Sequence, residues 1–265
     1  MDDTWYEIPW RIFCIGELGS MFCDRYKGKI GDQFTCRVLD DPLQLTRYCD
    51  SDPYCLNEHR MLVAEYEQDT WNKYLENDEI KAILQNMTLK VIIIHPVNNA
   101  VPSPERQFVR LMGDDPVHVM PPVGKVILAM PDRLHQSMES VCKAIYDMIA
   151  AIYIPGFCNI DFFDLVGPGK NNQYGMVYEA SCAHDGQMVQ AAADIRRRVE
   201  KEMPVDEIGA VYLNISSGRN LKLAQVCEVA GIIEDTFNEN TKMIWAHVIN
   251  ESEFGMTLVI YRNLG

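Results

Sequence analysis

Apolar and polar positions alternate along this chain in two periods, and the two halves differ in regularity. Residues 10–15 (Trp-Arg-Ile-Phe-Cys-Ile) form a short run with strand character. A turn over Gly16-Glu-Leu-Gly19 follows, and then a helical turn or two over 20–26. Strand, glycine turn and helix is the opening of a nucleotide-binding α/β unit. Residues 34–39 predict a second strand, and the apolar spacing over 56–67 and 70–84 predicts two helices. The β-branched run at 89–94 predicts a central parallel strand, since such strands are buried on both faces. Between 95 and 122 the pattern dissolves among prolines, with a short helix near 105–112. A strand over 126–130 and a long helix over 134–151 follow, the helix with Leu134, Met138, Val141, Cys142, Ile145, Met148 and Ile149 on one face. Pro155-Gly156 stops it.

The second half is cleaner. Strands are predicted over 176–182, 209–216, 243–250 and 256–262, and helices over 187–202 and 223–237. This β-α-β-α-β-β order places helices against a mixed sheet. Trp10 and Phe13 read as core, whereas Trp5 and Tyr6, ahead of the first strand, are open between core and surface.

Composition is that of a folded protein: 265 residues, 48% hydrophobic and 23% charged. A net charge of −14 repels phosphate backbones and anionic lipid, so neither nucleic acid nor direct membrane binding is expected. The N-terminus lacks a signal-peptide pattern and no apolar stretch is long enough to span a bilayer, which predicts a cytoplasmic protein. Nine cysteines, several in apolar segments, read as free thiols of a reducing compartment. Cys49, Cys55 and His59 lack the tight knuckle and fourth ligand of a structural zinc site, and no metal is expected. The histidines form no H-E-x-x-H pattern, no serine sits in a nucleophile elbow, and Arg196–Arg198 reads as a solvated helix face beside Glu200 and Glu202.

Three stretches carry a resemblance. The loop after the long helix, Pro155-Gly-Phe-Cys-Asn-Ile-Asp-Phe-Phe-Asp164, fits G-x-x-N-x-D-x-x-D at Gly156, Asn159, Asp161 and Asp164. Downstream stand a strand ending in Asn214-Ile-Ser-Ser-Gly218, then Asn220-Leu-Lys-Leu-Ala-Gln-Val226, and a further strand, Met243-Ile-Trp-Ala-His-Val-Ile-Asn-Glu251. In order and spacing, 125–262 resembles the C-terminal half of the FtsZ/tubulin family, and 10–41 fits its opening more loosely.

The resemblance implies an α/β, tubulin/FtsZ-like fold. A Rossmann-like N-terminal domain (1–133) would be joined by a long central helix (134–154) to a smaller α+β C-terminal domain (155–265). In that family one subunit holds GTP in a glycine-rich cradle, and the next subunit's loop acts on it. Asn159, Asp161 and Asp164 are therefore the implied catalytic residues toward a neighbour's nucleotide, with Gly156, Phe157, Phe162 and Phe163 at the interface. The cradle is eroded. Only Gly16 and Gly19 remain in the first loop, Glu17 adds a charge hostile to phosphate, and the second phosphate loop reads His95-Pro-Val-Asn-Asn-Ala-Val-Pro-Ser-Pro104. Near Met138 and Glu139 the family's guanine-reading pair is missing. The resemblance implies no cofactor of its own, with the GTP of an FtsZ or tubulin-like partner as the nucleotide it meets. Two alternatives stand beside this: a divergent GTPase that binds GTP/GDP and polymerises, and a scaffold for an unrelated partner.

Overall fold

In a computed structural model the chain forms one sheet, with strands in the order β2-β1-β3-β4-β5-β6-β9-β7-β8. The structure describes residues 9–29, 31–49, 58–71, 74, 76–95, 105–106, 108, 124–130, 138–167, 173–204, 207–251 and 253–263. The elements are β1 (Trp10–Ile15), α1 (Gly16–Tyr26), β2 (Phe34–Leu39), β3 (His59–Glu65), α2 (Gln68–Trp71), α3 (Asp78–Gln85), β4 (Leu89–Ile94) and β5 (Gly124–Ala129). There follow α4 (Met138–Tyr153), α5 (Phe162–Val166), β6 (Gln173–Cys182), α6 (Met188–Glu202), β7 (Ile208–Ser217), α7 (Leu223–Glu234), β8 (Lys242–Ile249) and β9 (Phe254–Asn263).

Strands β1 to β5 are parallel. The sheet continues through a two-residue parallel pairing of β5 with β6, Leu128 to Gly175 and Ala129 to Met176. Beyond it β9 runs antiparallel between β6 and β7, and β8 closes the edge parallel to β7. One face of β1–β5 packs on α1 and α4, and the other packs on α3 and Trp71. In the second half α4 covers the face carrying Tyr212, Ala246 and Tyr261, while α6 and α7 cover the opposite face. The central helix therefore lies against both halves and is buried nearly all round, from Ser140 to Ala151 apart from Lys143. The one-faced pattern predicted for it understates its burial; residues 134–137, its predicted first turn, lie outside the described residues.

Two predictions are corrected. Residues 56–67 do not form a helix: His59–Glu65 is β3, paired on both sides and buried throughout. A strand covered on both faces shows no alternation, so its Met-Leu-Val-Ala run passes for one stripe of a helix. Residues 70–84 are not one helix either. Asn77 caps α3 by accepting from the N–H groups of Glu79 and Ile80 at 3.0 and 3.1 Å, which starts a new helix at Asp78.

Trp10 and Phe13 are core. Trp5, Tyr6, Cys55 and most of the proline-rich stretch lie outside the described residues. Among the described residues no helix is long and apolar enough to cross a membrane, and no group of three His, Cys, Asp or Glu side chains is placed to hold a metal ion.

Candidate functional site

At the end of β1 the chain passes directly into α1, with Gly16 as its first helical residue. The predicted glycine turn over 16–19 is thus the first turn of a helix. Gly16 has φ +87°, and a Cβ there would lie 2.8 Å from the Cβ of Glu65. A Cβ on Gly19 would stand 3.0 Å from the carbonyl oxygen of Val63. Both glycines are explained by the close seating of α1 on β1 and β3.

Glu65, the last residue of β3, sits under that first turn. It is 1% exposed. Its Oε2 accepts from the N–H of Leu18 at 3.2 Å, and its Oε1 lies 2.6 Å from Nε2 of His95 at the end of β4. The residue before α1, Ile15, offers no side-chain cap, so Glu65 supplies an acceptor to an otherwise orphan helix N–H. Glu105, also buried, accepts from the backbone N–H of His95, and burial pushes its carboxyl above the usual range. Two buried carboxylates therefore occupy this end of the parallel sheet. A phosphate brought beside them meets repulsion of several kcal/mol at an effective dielectric of about 20. Glu139 of the central helix is bound to Arg25 at 2.6 Å. The rest of the predicted second phosphate loop, 96–104, lies outside the described residues.

The loop leaving the central helix is built differently. Tyr153, the last residue of α4, packs edge-on to Trp10 and Phe34 at the start of β1 and β2. The chain then lies along the end of β8: His247 donates its N–H to the carbonyl of Cys158 at 2.8 Å, and Ile249 donates to Pro155 at 3.2 Å. Gly156 is required by this contact, since a Cβ would fall 1.5 Å from the His247 carbonyl oxygen. The His247 ring stacks on Phe157, and its Nδ1 accepts from the Phe157 N–H at 3.1 Å. That fixes the hydrogen on Nε2, which donates to Ser217 Oγ at 2.7 Å. In this tautomer His247 is no base toward Ser217, and the pair works as a brace. Burial lowers the pKa of His247.

Asn159 accepts from the N–H of Gly156 at 3.1 Å and donates to the carbonyls of Ile154 at 2.9 Å and Ala151 at 3.3 Å. Its side chain is spent on shaping the loop. Asp161 caps α5, accepting from the Asp164 N–H at 2.8 Å, and the Asp164 side chain accepts from the Asp161 N–H at 3.2 Å. This reciprocal capping box, which the sequence pattern alone did not reveal, explains the spacing of the two acids structurally. Asp161 remains exposed and Asp164 partly so. Of the predicted interface residues, Phe157 is 47% exposed, Phe163 is partly buried, and Phe162 is buried in the core at 7%. Phe162, at the first position of α5, turns inward, so its ring packs in the core and Phe157 is the exposed member of the expected interface set. The sequence pattern did not single out Glu65 or the bracing role of His247; for Glu65 the obstacle was the strand read as a helix.

No family model matches the chain. Among solved structures the likeness is to FtsZ- and CetZ-type proteins. An empty FtsZ dimer from M. jannaschii matches over 96% of this chain and 88% of its own, with a TM-score of 0.62 and 13% identity. CetZ1 from Haloferax volcanii, a GDP-bound monomer, matches over 97% and 94%, with a TM-score of 0.53 and 8% identity. CetZ2 from the same organism, a GTPγS-bound protofilament, matches over 97% and 93%, with a TM-score of 0.53 and 9% identity. The chain has an FtsZ/tubulin-like fold along nearly its whole length.

Proposed function

We propose that this protein holds no nucleotide of its own and offers the loop after its central helix to the nucleotide-bearing face of an FtsZ- or tubulin-like subunit, capping or otherwise altering a filament. The position of Glu65 carries this reading: its carboxylate already occupies the helix turn where a phosphate would sit. The opposite face keeps the features that docking needs. The loop is pinned to β8 by backbone pairing and by His247, and it presents Phe157 and Asp161 to solvent. A subunit with one working face of two does not propagate a head-to-tail polymer, so its effect falls at filament ends.

Alanine at Asp161 and Asp164 would destroy the capping box together with the charge. Asp161→Asn with Asp164→Asn keeps an acceptor at each position and removes only the charge. In pelleting of GTP-assembled FtsZ, the wild-type chain is expected to lower the polymer mass at substoichiometric ratio, and the doubly substituted chain to lose most of that effect. Equal effects of the two chains, or no effect of the wild type, would defeat the proposal. A GTP-binding, self-polymerising protein is the second reading, distinguished by direct nucleotide binding.

A further inference from the structure

We infer that Lys90 and Lys125, side by side at the starts of β4 and β5, make a proton-sensitive joint in the parallel sheet, which tightens when Lys90 gives up its proton. The two residues are register partners on neighbouring parallel strands, so their side chains leave the sheet on the same face, about 4.8 Å apart at the backbone. That face is the one packed on α3, since Ile92 and Ile127, two residues further on, belong to its core layer. Both lysines are buried, Lys90 at 2% and Lys125 at 4% exposure. They stand in strands that are otherwise apolar, Leu-Lys-Val-Ile-Ile-Ile and Gly-Lys-Val-Ile-Leu-Ala. Among the described residues Lys90 has no hydrogen-bond or ion-pair partner.

The surroundings favour the neutral amine. On β3, Leu62 is the register partner of Lys90, and Arg60, two residues earlier on the same face, is bound to Glu58 at 3.0 Å. Glu58 also holds Arg11 at 2.7 Å. The helix α3 turns Ile80, Ile83 and Leu84 to this face, and its Asp78 and Lys81 are bonded to each other at the surface. The described charged groups beside Lys90 are thus cations. A buried ammonium with no acceptor and a cation next to it is relieved by losing its proton. Burial first, and then the charge of Lys125, bring Lys90 from 10.5 down to about 7. The folded chain releases this proton above about 7, whereas the unfolded chain keeps it up to about 10.4. Between these values the unfolded chain binds more protons, so this contribution to stability grows as pH rises from about 7 and is lost as pH falls back to it. The protonated pair sets two charges against each other at the second rung of the β4–β5 pairing. Strand β5 in turn carries the two-residue pairing with β6 that continues the sheet into the second half.

The experiment measures denaturant midpoints of the full chain from about pH 6.5 to about pH 8.5, for the wild type and for Lys90→Met, which keeps the length of the side chain and removes the amine. Above this window the buried thiols and phenols, raised by burial, act in the opposite direction. The wild-type midpoint is expected to climb across the window. Lys90→Met is expected to unfold at a higher midpoint than the wild type at the acid end and to lose the climb. A wild-type midpoint that stays level or falls, or a variant with the wild-type slope, would overturn the inference. If Lys90→Met folds poorly, nuclear magnetic resonance of the wild-type chain carrying carbon-13 lysine decides. One lysine Cε signal that moves between pH 6.5 and 8.5 is expected, and every lysine still fully charged at pH 8.5 would overturn the inference.

Discussion

Gly156 has no room for a side chain, because any Cβ would fall on the His247 carbonyl. Gly156→Ala must therefore lift the loop from β8, at a cost of about 1–3 kcal/mol or more by analogy with overpacked sites. Gly231, in α7, has nothing within 4 Å of the place a Cβ would take, so Gly231→Ala should be neutral or add up to about 1 kcal/mol through helix propensity. Urea unfolding of both variants checks the contrast. His59 gives a second residue-level outcome. It is buried at the start of β3 with its ring 4.7 Å from that of Trp10, and burial lowers its pKa to about 4. The unfolded chain takes up this proton from about pH 6.5 downward while the folded chain does not. Stability should thus fall as pH drops from about 6.5 to about 4, by roughly 2–3 kcal/mol, and His247 acts in the same direction. Denaturant midpoints across this range check it, and His59→Gln should flatten the slope.

At the scale of elements, the central helix is the joint between the two halves, and Asp147 is its buried charged group. Its carboxylate takes the Lys143 ammonium at 2.7 Å and a hydrogen bond from Thr257 on β9, while its backbone carbonyl accepts from Tyr212 on β7. Asp147→Ala leaves Lys143 and Thr257 without that acceptor and should cost about 3 kcal/mol, the lower end of the range for a broken buried pair because Lys143 is partly exposed. Denaturant unfolding measures it. The second half was legible from the sequence: α6 and α7 start within a residue of expectation, and β6, β7, β8 and β9 are all present. Strands β1, β2 and β4 were legible too, bounded by glycine, aspartate or proline. What failed was β3, enclosed on both faces, and the break before α3, where Asn77-Asp-Glu was a capping signal passed over. At the site, the Asn159, Asp161 and Asp164 pattern was visible, but its local bonding was not: spacing shows which residues recur and leaves open whether they face a ligand or one another.

Over the whole molecule the two ends of the fold are unequal. One carries a pinned loop with exposed Phe157 and Asp161, and the other is closed by Glu65 against the first turn of α1, with His95 and Glu105 beside it. Sequence alone shows that the first loop keeps two glycines and that residues 95–104 have none. The fold adds a carboxylate seated against the first turn of α1, supplied by a residue 47 positions along the chain from Leu18. The central claim is that this seat is closed to nucleotide, and the direct measurement is isothermal calorimetry of GTP and GDP, with magnesium, on the purified chain. No detectable heat of binding is expected for either nucleotide. Saturable binding at micromolar concentration or tighter would contradict the claim, and would make this protein a nucleotide-binding member of its fold.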